Sequence, residues 1–352
     1  MNELIDTTEM YLRTIYELVH NQPFRFPHRI GTIRSVSWNP AGRMDPVTSP
    51  TPQFTAPLLT PRRLAALLDG AVLDPGESGA APVAAPLVLD VRWRLGGPPG
   101  RADHEAGHVP GAVFVDLDTE LAAPPGAGGR HPLPDPAVLQ EVLRRAGVSQ
   151  RSRVVAYDDD TGAVAARAWW LLRWSGLPAD RVAVLDGGFR AWVADGLPVT
   201  TAPSRPAPGD VVVRPGGMPV VDADGAAELA RRGVLLDARA GARYRGETEP
   251  VDAQAGHVPG ARNAPATEHL GPDGRWLPPD VLARHYGALG VDPAAASGVG
   301  AYCGSGVNAT AVVLALEYAG LRAPGGPAAL YPGSWSQWSA DPGRPVATGA
   351  AP

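Results

Sequence analysis

Gly107-His108-Val109-Pro110-Gly111-Ala112 returns about 150 residues later as Gly256-His257-Val258-Pro259-Gly260-Ala261, and that return decides the architecture. Ahead of each copy an apolar run ends in Asp-x-Arg: Leu87-Val88-Leu89-Asp90-Val91-Arg92, then Val234-Leu235-Leu236-Asp237-Ala238-Arg239. Behind each copy a second short run ends in tyrosine: Val154-Val155-Ala156-Tyr157, then Val299-Gly300-Ala301-Tyr302. The halves close alike, on Gly187-Gly188-Phe189-Arg190-Ala191-Trp192 and on Gly333-Ser334-Trp335-Ser336-Gln337-Trp338. Four landmarks in one order at one offset define a tandem duplication.

Within each half, apolar runs alternate with helix-like stretches. The pattern predicts helices over Pro61 to Leu68, Pro136 to Ala146 and Ala163 to Ser175 in the first half. Asp222 to Arg231, Pro279 to Leu289 and Val307 to Ala319 are their counterparts in the second, with Gly320 as a C-cap. Strands that are apolar throughout and separated by helices predict an α/β fold: two mostly parallel sheets, each covered by helices on both faces. The stretch Thr200 to Met218 is rich in Pro and Gly. We place a first domain at 54–205, a linker at 206–218 and a second domain at 219–352.

The chain has 352 residues, 44 % hydrophobic and 19 % charged, enough for two ordinary cores. A net charge of −5 argues against nucleic acid or an anionic membrane as partner. No run of about 18 apolar residues predicts a membrane span. Met1-Asn2-Glu3-Leu4-Ile5-Asp6 is acidic and lacks an apolar h-region, so it does not read as a secretory signal. Residues 1–53 belong to neither repeat. Asp6 to Leu18 is helix-like and resembles the first helix of iron-dependent repressors of the diphtheria-toxin-repressor type. The likeness stops near Val19, before any recognition helix or metal-ligand set. We read this segment as a fused or mis-assigned start, and Asn21 to Pro57 as a disordered tail.

One cysteine, Cys303, occurs in the whole chain, at the head of Cys303-Gly304-Ser305-Gly306-Val307-Asn308. Without a second thiol there is no disulfide framework and no resolving cysteine, which fits a reducing cytoplasm. The loop follows a predicted strand and precedes a predicted helix, where ligand sites of parallel sheets lie. Two glycines let it wrap so that backbone N–H groups converge on the sulfur, and the helix adds its positive end. Such surroundings lower a thiol pKa from about 8.5 toward roughly 3.5–7.5 and make a nucleophile. A small apolar cysteine packed under a helix is the alternative. Cysteine phosphatases need an arginine six positions on to clamp an oxyanion. Here that residue is Ala309, and no Arg or Lys occurs from Cys303 to Glu317. Phosphate-ester chemistry is thereby disfavoured.

From about Phe54 to Val346 the chain resembles the two-domain rhodaneses, the thiosulfate/3-mercaptopyruvate sulfurtransferase family. The resemblance rests on the doubled His-Val-Pro-Gly-Ala, on Tyr157-Asp158 with Val184-Leu185-Asp186-Gly187-Gly188, and on Tyr331-Pro332-Gly333-Ser334-Trp335-Ser336-Gln337-Trp338. It implies that Cys303 takes sulfane sulfur from a small donor as a persulfide. A thiol (thioredoxin or a small thiol) or cyanide then accepts it, with no cofactor and no metal. The position equivalent to Cys303 in the first half is Asp158, which cannot carry sulfur and reads as structural.

Cys-Gly-Ser-Gly-Val loops resemble those of 3-mercaptopyruvate enzymes, whereas thiosulfate enzymes tend to carry cations directly after the cysteine. Thiosulfate therefore stands as the alternative donor, and a persulfide carrier without turnover as the alternative function. The resemblance further implies a Ser305–His131–Asp118 relay for proton exchange, and donor binding by Arg243 with the loop residues Gly304, Gly306, Val307 and Asn308. An ion pair with Glu247 or Glu249 is the other reading of Arg243, and a solvated loop histidine the other reading of His131. A second carboxylate-binding arginine of that family would fall near Val251, where this chain has none. His108 and His257 recur in both halves, including the one without cysteine, and read as structural turn residues.

Overall fold

The computed structural model describes residues 54–70, 84–294, 298–321 and 326–352. The readings made on residues 1–53 lie outside them. The segment Phe54–Pro57 is ordered, which corrects the extent of the tail. Phe54 is buried in the first core, and the Pro57 carbonyl accepts the Val184 N–H at 2.8 Å.

Strands β1 (Leu58–Leu59), β2 (Leu87–Asp90), β3 (Val113–Phe114), β4 (Val154–Tyr157) and β5 (Val182–Leu185) form one sheet in the order β1-β5-β4-β2-β3. Strands β6 (Val234–Asp237), β7 (Arg262–Asn263), β8 (Val299–Tyr302) and β9 (Ala329–Leu330) form a second in the order β7-β6-β8-β9. Every pairing within the two sheets is parallel. A single parallel bridge from Val220 to Leu330 stands in the second half where β1 stands in the first.

Helices start where capping chemistry places them. Thr60 and Asp135 cap helices that begin with proline, and Asp222 accepts the Gly225 N–H at 2.8 Å. Asp222 is thus the cap of Ala223–Arg232 rather than its first residue. Gly320 takes φ +73° just past Asn308–Tyr318, as a C-cap requires. The stretch Thr200 to Met218 is not a free tether. Gly209, Val211, Arg214 and Gly217 donate backbone N–H bonds to Arg144, Val148, Ser175 and Trp174, and Val211 is buried.

All twelve residues of the helix Ala163–Trp174 are buried, and so are eight of the eleven in Asn308–Tyr318. Each follows the strand end that carries Asp158 or Cys303, and the two helices pack against each other. Helices apolar on all sides belong in an interior. Here that interior is the seam between the halves, inside one compact unit that holds the described residues.

The four repeated landmarks meet in one node per half. The register pairs Asp90 with Tyr157 and Asp237 with Tyr302. Arg92 grips Asp90 through Nε and Nη2 and donates to the Gly107 carbonyl at 2.8 Å. Arg239 does the same to Asp237 and, at 2.6 Å, to Gly256. The tyrosine oxygens accept the N–H of Val109 and Val258. Each guanidinium lies over the aromatic ring of the closing motif, Phe189 at 4.4 Å and Trp335 at 4.5 Å. Burial opposes the Asp90 charge, but bonds from His104, Arg92 and Tyr157 hold its carboxyl below the usual range.

Removing one partner from such a buried pair leaves an uncompensated charge, at about 3–5 kcal/mol. Arg239→Met is therefore expected to lower unfolding free energy in urea by about that amount. A loss below about 1 kcal/mol would contradict the node.

His108 and His257 serve these turns. Their rings stack on His104 at 3.8 Å and on Tyr244 at 3.7 Å, with each Nδ1 on a backbone carbonyl, and both residues are buried.

Candidate active site

The carboxyl end of β8 carries Cys303 into a tight loop, and the glycines set its path. Gly306 has φ +82°, and a Cβ there would stand 2.5 Å from the Pro332 carbonyl oxygen, so only glycine closes the turn. Its N–H donates to Cys303 Sγ at 3.1 Å. The Tyr331–Trp338 segment braces the loop. Ser334 Oγ accepts the Cys303 N–H, while the carbonyls of Cys303 and Gly304 accept from Trp335 and Ser336. Ser334 has φ +52°, a left-handed conformation uncommon for a residue with a side chain. Strain of this kind collects at sites whose geometry the surroundings enforce.

The first half shows what such a loop holds. The Asp158 carboxylate accepts backbone N–H bonds from Asp160, Gly162, Val164 and Ala165, each at 3.0 Å. Burial pushes its pKa up and these bonds pull against that. A carboxylate anchored on four backbone donors is a structural anion. It occupies the place that Cys303 holds in the other half.

A cleft of about 460 Å³ lies between the halves, lined by both loops, with Cys303, Gly304, Ser305, Val307 and Asn308 on one side and Asp158, Asp160 and Thr161 on the other. Asn308 is exposed at its rim. Gly306 stands behind the sulfur and does not line the cleft.

His131, from the first half, reaches across the seam. Its Nδ1 lies 2.8 Å from Ser305 Oγ and its Nε2 3.2 Å from Asp118 Oδ1. Trp93 sits edge-on to the His131 ring at 5.5 Å, and its indole N–H donates to Asp118 Oδ2 at 2.7 Å. His131 is 6 % exposed, a buried residue and not a solvated loop histidine. With Nε2–H directed at the carboxylate, Nδ1 is free to accept the serine proton.

Burial pushes the His131 pKa below 6.5; Asp118 opposes this, and the guanidiniums of Arg167 and Arg130 reinforce it. The imidazole therefore stays neutral as pH falls past its ordinary value and loses its acceptor only in more acid solution. The acid limb of kcat/KM is expected below pH 6.5. Arg130→Met, which removes a repelling cation, moves that limb up, and Asp118→Asn moves it down. A limb that ignores both changes would exclude His131 as the titrating group.

Arg243 lines the same cleft and is ion-paired. Its Nη2 donates to Glu249 Oε1 at 2.6 Å and to Asp252 Oδ2 at 2.9 Å. Glu247 pairs with Arg245 instead. Burial resists the Glu249 charge, but the Arg243 bonds and two backbone N–H groups hold it below its ordinary value. The carboxylates thus hold the guanidinium in place without filling its donor capacity.

A second cation, absent from the sequence reading, stands beside it. Arg130 donates to Asp252 Oδ1 at 2.7 Å. A Cβ on Gly304 would lie 3.2 Å from Arg130 Nη2 and 3.5 Å from Arg243 Nη1. Both guanidiniums thus converge on the residue after the cysteine, and one carboxylate holds them. The loop carries no cation in sequence, but two guanidiniums held by carboxylates are brought over it in space. Val251, where the resemblance would place another arginine, is exposed.

These features define a tandem parallel α/β protein with one thiol loop, one carboxylate loop and a cationic cleft between them. The family profile of the rhodanese-like domain matches residues 77–195 and 222–341. A probable 3-mercaptopyruvate sulfurtransferase of Pseudomonas aeruginosa is 47% identical over 300 residues, 84% of this chain and 99% of that one. The putative thiosulfate sulfurtransferase SseB of Mycobacterium tuberculosis is 45% identical over 75% of this chain and 91% of its own. Among solved structures, the 3-mercaptopyruvate sulfurtransferase from Leishmania major superposes with a TM-score of 0.65 at 29% identity, covering 81% of this chain and 74% of that chain. The chain belongs to the rhodanese-like family.

Proposed function

We propose that this protein is a sulfurtransferase that moves sulfane sulfur from 3-mercaptopyruvate to a thiol or cyanide through a persulfide on Cys303. The observation that carries this reading is the Ser305–His131–Asp118 chain, at 2.8 and 3.2 Å, beside the sulfur.

The Cys303 thiolate attacks the donor sulfur and forms an S–S bond. The donor C–S bond breaks, and its electron pair stays on carbon as the enolate of pyruvate. That carbon must gain a proton, and Ser305 backed by neutral His131 is placed to deliver it. In the net step the donor's thiol proton ends on the methyl group of pyruvate, and Cys303 holds a persulfide anion. An acceptor thiol, or its deprotonated form, then takes the outer sulfur, gives its own persulfide and returns the Cys303 thiolate. Cyanide takes the same sulfur as thiocyanate.

Arg243 and Arg130 face the donor carboxylate, a pairing that guanidinium geometry favours. Gly304 keeps the approach open, and Val307 and Asn308 border it. Thioredoxin and small thiols are the acceptors that this chemistry suits, in a reducing cytoplasm. No helix among the described residues is long and apolar enough to cross a membrane.

Thiosulfate is the second reading, favoured by the two converging guanidiniums, which suit a compact dianion. It differs in its proton requirement: breaking its S–S bond releases sulfite and needs no proton on carbon, so the relay would be idle. Steady-state sulfur transfer to cyanide from each donor, with Cys303→Ser as the blank, separates the two. A larger kcat/KM for 3-mercaptopyruvate, sensitive to His131→Ala, is expected. Preference for thiosulfate with no dependence on His131 would overturn the donor assignment. Stoichiometric loading of Cys303 without multiple turnover from either donor would leave a persulfide carrier.

A further inference from the structure

The helix Ala163–Trp174 is buried on all sides, yet it carries two arginines. Arg173 meets Glu317 of the facing helix at 2.7 Å. Arg167 has no such answer: it is 0 % exposed, and among the described residues it makes no salt bridge to a carboxylate. Its guanidinium fans over four carbonyl oxygens instead. Nη2 donates to Leu121, His131 and Pro132 at 3.3, 3.2 and 3.1 Å, Nε also reaches Leu121, and Nη1 donates to Gly306 at 3.2 Å.

Carbonyl dipoles satisfy the donors of a guanidinium but do not neutralise its charge, and a buried unneutralised cation is costly. The fan ends at the thiol. Gly306, whose carbonyl Arg167 holds, is the residue whose N–H donates to Cys303 Sγ. Burial pushes Arg167 down to about 10, and the negative charge acting against that push is that of Cys303. The same guanidinium disfavours a proton on His131.

We propose that Arg167 is the buried counter-cation of the Cys303 sulfur. On this account the first half, which has no thiol, supplies through the seam the charge that holds the thiolate and, after loading, the persulfide anion. The same cation disfavours a proton on His131 and braces the turn whose N–H meets the sulfur. Its bonds to the His131 and Gly306 carbonyls also keep relay and nucleophile in register. Arg167 touches neither donor nor acceptor in this scheme; it is a positioning residue acting through Cys303 and His131. The other charged groups lining the cleft with Cys303 and His131 are Arg94, Arg130, Arg239 and Arg243, and Asp158 and Asp160 from the facing loop, with Asp118 on His131.

The proposal rests on Cys303 as the sulfur-accepting atom, and its test is scored without any donor. Because Cys303 is the only cysteine in the chain, iodoacetamide reports on it alone. The full chain is alkylated across pH 5–10 as wild type, Arg167→Met, Arg167→Gln and Arg167→Lys, with near-UV circular dichroism to confirm the fold. Loss of the charge in the Met and Gln variants is expected to lower the alkylation rate at pH 7 at least tenfold and to move the profile to higher pH. Arg167→Lys, which keeps a charge but cannot span four carbonyls, is expected to stay within about threefold of wild type. Unchanged profiles in folded Met or Gln variants would overturn the proposal, as would a Lys variant that loses tenfold. If the neutral variants do not fold, the Lys variant alone decides, in the same two directions. Failure of every donor in turnover assays would overturn the sulfurtransferase reading and leave this result standing by itself.

Discussion

Cys303→Ser is expected to reduce sulfur transfer to the uncatalysed background, a loss on the order of 10⁴-fold or more, as for loss of a covalent nucleophile elsewhere. The reason is chemical before it is structural. A serine hydroxyl is not ionised near neutrality and does not form a stable bond to sulfane sulfur. The surroundings would hardly notice the exchange: the Gly306 N–H that meets Sγ at 3.1 Å can meet Oγ, and the Ser334 and Trp335 bonds involve only the backbone of residue 303. The variant should therefore melt within a few degrees of wild type while losing turnover with both donors. Sulfur transfer persisting above about 1 % of wild type would mean that another group carries the sulfur, and the account would fall.

The second large effect concerns the paired guanidiniums. A hydrogen bond to a charged group contributes about 1.5–3 kcal/mol, so Arg243→Met and Arg130→Met are each expected to lower kcat/KM for an anionic donor by roughly 10- to 150-fold. The loss should appear chiefly in KM, because carboxylate binding is made in ground state and transition state alike. The two substitutions will not be independent, since both side chains hold Asp252. Removing either arginine leaves Asp252 with less compensation, and removing Arg243 does the same to Glu249. Steady-state kinetics on the two single variants and the double variant check this. If the single losses multiplied, the double variant would lose roughly 10²- to 2 × 10⁴-fold, and the shared Asp252 makes it depart from that product. If Arg130→Met leaves KM unchanged, Arg130 is only a strut for Asp252 and the donor is held by Arg243 alone.

Much of this architecture is legible in the chain because duplication writes each constraint twice. The Asp-x-Arg, Gly-His-Val-Pro-Gly-Ala, tyrosine and closing aromatic landmarks recur because they touch one another. Arg239 meets Asp237, the Gly256 carbonyl and the Trp335 ring in a single node. The wholly apolar strands predicted parallel sheets, and the sheets are parallel. Short range limits the rest. That no cation follows Cys303 in sequence says nothing about cations brought over it in space, and Arg130, Arg243 and Arg167 all arrive from outside the loop.

Arg130 adjoins His131, a residue already singled out, and proximity to it was the available signal. Arg167 had a clearer one, a charge inside a helix apolar on every face. The pairing of Arg243 with Glu249 was foreseeable from the short spacing. Its sharing of Asp252 with Arg130, 122 residues from Asp252, was not.

The most direct test of the central claim is the intact mass of the protein after brief exposure to one equivalent of 3-mercaptopyruvate with no acceptor present, followed by peptide mapping. The account predicts a gain of one sulfur atom on the peptide bearing Cys303, one pyruvate released per sulfur gained, and full loss of the added sulfur to thiocyanate when cyanide is supplied. Pyruvate released with no sulfur on Cys303, or sulfur mapped to any other residue, would contradict it.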